Sequence, residues 1–129
     1  MTTTYGYVPV RQSIVRWFVN VAIVRWVGDY QPSIVECELI DLHGKRWLFI
    51  VKMPIVTSES LWSDSKFPRP GHLPCVAVSS GYDESGRKTI HIDTSLPCAE
   101  EAQDGTAHFE VFADQVIEAP NGYDDLPMV

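Results

Sequence analysis

Apolar and polar residues alternate with a period of two through much of this chain. In "IVECELI", Val35, Cys37 and Leu39 fall on one side and Glu36 and Glu38 on the other. That is the pattern of a half-buried strand. "KTIHID" repeats it with Ile90 and Ile92 against His91 and Asp93, and "AHFEVFADQVI" with Phe109 and Val111 against His108 and Glu110. Phe112 breaks the last alternation, which predicts a bulge or a helical end near Ala113. "RWLFIV", Trp47 to Val51, is apolar on both faces and reads as a central or covered strand. The abundance of Val, Ile, Trp, Phe and Thr points the same way, because β-branched and aromatic side chains fit a pleated surface. Six strands follow, roughly 13–27, 34–42, 46–54, 72–79, 88–94 and 107–113.

Turn chemistry joins them. Between the second and third strands lies "DLHGK", where Gly44 supplies a positive φ. Between the fourth and fifth lies the polar "SGYDESGRK", with Gly81 and Gly86. One short helix is predicted over 57–64, with Thr57 or Ser58 as N-cap, Leu61 and Trp62 docked on the sheet, and Pro68 and Pro70 preventing continuation. "FPRPG" closes that crossover. Strands joined by hairpins and crossovers, without alternating helices, predict a mainly β fold: a small six-stranded antiparallel barrel or strongly curled sheet. Curling hides edges that β-branched sequence would otherwise expose. Residues 1–118 read as a single barrel-like domain and 119–129 as a flexible acidic tail.

The stretch 14–27, "IVRWFVNVAIVRWV", holds Ile-Val-Arg-Trp twice. The copies start nine residues apart. An odd offset puts Trp17 and Trp26 on opposite faces of a strand, and nine steps of about 100° do the same on a helix. The repeat therefore does not read as a duplicated recognition unit. A helix competes for this segment, since Val15, Phe18, Val19, Ala22, Ile23 and Trp26 follow an i, i+3, i+4 stripe. Its valines and isoleucines favour a strand bent at Asn20 or Ala22.

Composition narrows the function classes. The 129 residues are 45% hydrophobic and 21% charged, ordinary for a folded domain. No apolar run reaches the ~18–20 residues of a membrane helix. Three cysteines, an odd number, with no export signal predict free thiols in a reducing cytoplasm, with one disulfide and a single free thiol as the alternative. Net charge is −7, unevenly placed. Residues 1–82 hold 8 Lys/Arg and 6 Asp/Glu, whereas 83–129 hold 2 and 11. That asymmetry argues against nucleic-acid binding, which needs a basic footprint.

Candidate chemistry is sparse. His72 and Cys75 make one H-x-x-C pair, where a zinc site needs two such pairs; Cys75 reads instead as a small core residue. Cys75 or Cys98 beside His91 or His108 lacks the cationic surroundings that lower a thiol pKa, and Glu100 and Glu101 next to Cys98 raise it. Glu36 and Glu38 form a carboxylate pair, which reads better as a solvated face opposite Arg46 and Lys52. "SSGYDESGRK" is too acidic to cradle phosphate.

The pattern Ile34-Val35-Glu36-Cys37, Asp41, Gly44, Trp47, Phe49, Lys52, Pro54-Ile55, Thr57, then Phe67-Pro68 and Pro70-Gly71, resembles a group of small bacterial proteins of unassigned function. "DESGRKTIHIDTSLP" and "FEVFADQ" fit the same pattern, so the resemblance spans roughly 30–115. It implies a bacterial cytosolic protein and nothing catalytic. The group carries a Trp-Gly pair after its proline; this chain has Cys98-Ala99 after Pro97.

The acidic series Glu100, Glu101 and Asp104, with Asp124 and Asp125 of the tail, then weighs most, with Trp62, Phe67 and Tyr82 as aromatic anchors on predicted loops. The expected function is non-enzymatic protein binding, in its sharpest form a bacterial immunity-type protein that neutralises a basic partner. No catalytic residue, metal or cofactor is expected. The alternative is a small enzyme or ligand carrier with a pocket at the barrel mouth, lined by His72, His91 or Glu36.

Overall fold

The structure, a computed structural model, describes residues 16–119. Seven strands, all paired antiparallel, form a strongly curled half-barrel: β1 (Arg16–Gly28), β2 (Ile34–Ile40), β3 (Arg46–Lys52), β4 (Arg69–Tyr82), β5 (Lys88–Asp93), β6 (His108–Phe112) and β7 (Val116–Ala119). The order is β3-β2-β1-β4-β5-β6, with β7 on β1. A 3-10 turn at Ala113–Gln115 separates β6 from β7, where the broken alternation at Phe112 predicted a corner. Most of the expected 119–129 tail lies outside the described residues; Ala119 ends β7.

The pleat sorts side chains as the alternation predicts. Val19, Ile23, Val35, Cys37, Leu39, Phe49, Leu73, Ile92 and Val111 are fully buried and fill the concave side. Phe109 packs edge-on against Trp47, ring centroids 5.1 Å apart, and tilted against Phe49 at 5.7 Å. These contacts tie β6 to β3 across the interior. The residues 14–27 are a strand from Arg16 onward, so the helical stripe loses to tertiary pairing.

β1 is paired along both edges. Trp17–Ile23 face Cys75–Arg69 of β4. On the other edge Arg16–Val19 face Ala119–Val116 of β7, and from Ala22 onward β1 faces β2. Gln115 stands where the partner changes: its Oε1 accepts from Phe112 N and its Nε2 donates to Ile40 O, both at 2.8 Å.

Four expectations need correction. The helix is not at 57–64 but at Met53–Val56, a single turn with Pro54 at its start. Thr57 is already extended, and its Oγ1 accepts from Glu59 N, which turns the chain away from the helix. Leu61 docks as expected, whereas Trp62 is 63% exposed. The seventh strand is too short to show a period. β3 is neither central nor covered on both faces: it ends the sheet path, Ile50 on its outer face is 41% exposed, and only its edge is met, by Gln103 N donating to Leu48 O. The odd-offset reading of the two tryptophans fails because of a β-bulge between Ile23 and Arg25. Trp17 pairs with buried Cys75 and Trp26 with buried Val35, so both lie on the concave face. They still share no patch, being about 30 Å apart along the strand.

The β2–β3 turn matches its prediction: Gly44 has φ +81°. Asp41 Oδ1 accepts from His43 N and Lys45 N, and its Oδ2 from Trp47 Nε1 at 3.0 Å. Leu42 N then donates to Glu110 O, which fastens this turn to β6. No helix among the described residues is long and apolar enough to cross a membrane.

Gly71 lets the helical turn close over β4. A Cβ there would meet Ile23 Cγ1 at 3.0 Å and the Val56 carbonyl oxygen at 3.2 Å. Ile23 is β-branched and has no exposed surface into which to retreat. Gly71→Ala is therefore expected to lower stability by about 1–2 kcal/mol, read as a shifted urea midpoint at unchanged slope.

Candidate functional site

The acidic loop between β5 and β6 is built from its base upward. Thr94 is fully buried. Its N donates to Ala107 O, and its Oγ1 to Glu100 O at 2.8 Å. Glu100 N returns a bond to Thr94 O. Ala102 inserts into the core at 5% exposure, and its N donates to Thr106 O. Gln103 N reaches β3 and Gly105 N reaches Ala102 O. With both ends and the middle tied, the loop is a fixed platform rather than a mobile strap.

Glu101, Gln103 and Asp104 are exposed on this platform. The Asp104 carboxylate accepts from Thr106 N at 2.9 Å, and these local hydrogen bonds hold its pKa below the usual range. Glu100 differs. It is half-buried, and that burial pushes its pKa up, with Lys52 pulling the other way. Of the aromatic candidates, Trp62 and Tyr82 are 63% and 71% exposed. Phe67 packs against the core instead, so its ring is partly used up. Among the described residues no bond or ring contact joins Trp62, Phe67 or Tyr82 to the acidic loop. The structure gathers the three acids but not the aromatics with them.

The carboxylate pair on β2 is ion-paired. Arg46 pairs with Glu38, as expected. Glu36 pairs with Arg25 of β1 at 2.6 Å rather than with Lys52, and it is buried, not solvated. The bulge in β1 is what brings Arg25 opposite Glu36.

A second polar cluster lies on the convex face of β4, β5 and β6. His91 Nε2 and His108 Nδ1 are 2.9 Å apart, with the rings edge to face. His108 Nε2 lies 3.7 Å from Asp93 Oδ2. Asp93 is nearly buried, and its Oδ1 accepts from Ser95 Oγ at 2.6 Å and Ser95 N at 2.9 Å. The bond from the Ser95 hydroxyl holds the Asp93 pKa below the usual range. Beside this cluster is an open cleft of about 330 Å³ bordered by Ser79, Tyr82, Asp83, His91 and Glu110. The alternation already placed His91, Asp93, His108 and Glu110 outward. What it lacked was the β5–β6 register, which sets Asp93 opposite His108 and His91 opposite Glu110.

Cys75 is a core residue, as its surroundings in the sequence suggested. Burial pushes the thiols of Cys37 and Cys75 up to about 12; the fields of Glu100 and Glu36 add to this at Cys37, and that of Asp93 at Cys75. Among the described residues no three His, Cys, Asp or Glu side chains stand where they would hold a metal ion.

At pH 8 the thiols of Cys37 and Cys75 should resist iodoacetamide in the native protein and react fully in urea, as peptide mass spectrometry would show. Ala99 has φ +59°, the left-handed region that favours glycine. Ala99→Gly should raise stability by about 1 kcal/mol in thermal unfolding.

Comparison with protein-family models, with curated proteins and with solved structures gave no match.

Proposed function

We propose that this protein is a non-enzymatic binding module that engages a basic protein partner through its acidic surface, in its sharpest form a bacterial immunity-type protein acting in the cytoplasm. The reading is carried by one observation: the acids of the β5–β6 loop stand on a backbone pinned by Thr94, Ala102 and Gln103. A loop already ordered loses little entropy on docking, which is where much binding energy otherwise goes.

Two further features support it. Four of the arginines are neutralised internally: Arg25 by Glu36, Arg46 by Glu38, Arg69 by Glu59 and Arg87 by Asp114. Glu101 is left without such a partner among the described residues and Asp104 feels only the field of Lys45, within a net charge of −7. A field of one sign speeds encounter with an oppositely charged protein and falls with salt. The concave side, meanwhile, is filled with side chains. One observation favours the runner-up, a ligand carrier or small enzyme: the cleft beside His91. It lies on the outside of the sheet, not at a barrel mouth.

The test is co-purification of the partner from a bacterial lysate. Because Glu100 is half-buried, the variant to use is Glu101→Lys with Asp104→Asn, checked for an unchanged circular dichroism spectrum. Capture should fall about tenfold or more and weaken steeply between 50 and 300 mM salt, as expected of about two lost charge contacts. Capture equal to wild type at every salt concentration would remove the acidic loop from the interface.

A further inference from the structure

We infer that the cleft on the convex face of β4, β5 and β6 is a seat for a guanidinium or ammonium group, such as an arginine or lysine side chain of the partner. This rests on the basic-partner reading above and adds the place where one cation is read.

The inference comes from the polarity of the lining groups. Asp93 is fixed by Ser95 and is an acceptor only. Its Oδ2 faces His108 Nε2 at 3.7 Å, an electrostatic distance that favours the hydrogen on that nitrogen. A neutral His108 with Nε2–H has a bare lone pair on Nδ1. The 2.9 Å contact then requires His91 Nε2 to donate to it. His91 is thereby left with its lone pair on Nδ1, which has no partner among the described residues. His108 is a positioning residue: it sets the tautomer of His91 without itself bordering the cleft.

Opposite His91 in the β5–β6 register stands Glu110. Its backbone oxygen is taken by Leu42 N, but its carboxylate has no partner among the described residues. Asp83 completes the set. Its Oδ1 is occupied by Ser85 and Arg87 N, which leaves Oδ2. Asp83, His91 and Glu110 therefore present acceptors to the cleft; the Tyr82 phenol can donate or accept, and the Arg87 guanidinium, whose field acts on Asp83, is held by Asp114. The hydroxyls of Ser79 and Thr89 can accept as well. A planar donor fork satisfies such a set, and an anion would meet two carboxylates.

The experiment is a titration of ¹⁵N-labelled full-length protein with N-acetyl-arginine amide, against the citrulline analogue as an uncharged isostere. Arginine should shift the amides of 79–83, 89–91 and Glu110 saturably, and citrulline should not. Glu110→Gln, which sits on an exposed position and keeps the fold, should weaken binding about tenfold, the loss expected when one charge-assisted bond goes. Long-range ¹H–¹⁵N spectra of the imidazoles should show Nε2–H on both His91 and His108. His108→Phe should weaken arginine binding and release His91 from that tautomer. Equal shifts from citrulline, or an unchanged affinity in Glu110→Gln, would overturn the seat. Shifts confined to 100–106 would also overturn it while leaving the acidic-loop reading standing. No arginine shift anywhere, together with partner capture indifferent to Glu101→Lys/Asp104→Asn, would remove both.

Discussion

Pairing of β1 along both of its edges is the constraint on which this molecule depends. β4 takes one edge, while β7 and then β2 share the other. A strand flanked in this way cannot sit in a flat sheet when β6 and β7 are one bent segment that must reach both β5 and β1. The sheet has to curl until β7 arrives at β1, and the curl brings Phe109 of β6 against Trp47 and Phe49 of β3. Burial of the concave side follows, at roughly 25 cal/mol per Å² of apolar surface removed from water. The same arrangement spares β1, rich in valine and aromatic side chains, from presenting an open edge. Gln115 is the joint: one side chain amide satisfies backbone groups on both sides of the place where β1 changes partners.

That geometry also decides where chemistry can occur. Among the described residues the concave side is a packed core of Val19, Leu39, Phe49, Leu73 and their neighbours. The polar chemistry is displaced to the convex face and to the connection between β5 and β6. There the register of two strands converts a sequence alternation into a string of contacts, Asp93 to His108 to His91. Thr94, one residue after Asp93, turns inward and anchors the acidic loop. One strand end therefore organises two neighbouring surfaces rich in acceptors, the ones on which the proposed basic partner would dock.

Much of the fold was legible in the chain. Period-two runs at 34–40, 88–93 and 108–112 read directly as strands with the correct inner face, and Gly44 marked its turn. What stayed hidden was non-local. The bulge that follows Ile23 leaves no local signature, yet it moves Trp26 to the concave face and sets Arg25 against Glu36. β7 is four residues long and is defined by β1, not by its own pattern. The helix was misplaced because Ser and Thr at 57–58 look like caps, whereas Thr57 ends a turn that Pro54 had begun. Of the site, the three acids were visible as an acidic run. The burial of Glu100 and the pairing of His91 with His108 required the register of strands distant in sequence.

The most direct measurement is native-state hydrogen exchange of the backbone amides. If curling of the sheet around β1 fixes the acidic loop as one cooperative unit, the amides of Leu42, Thr94, Ala102 and Gln103 should exchange as slowly as those of Val19 and Val21, through global unfolding. Exchange of the loop amides at unprotected rates while β1 stays protected would contradict the account, because the acids would then ride on a mobile strap and not on a platform built by the fold.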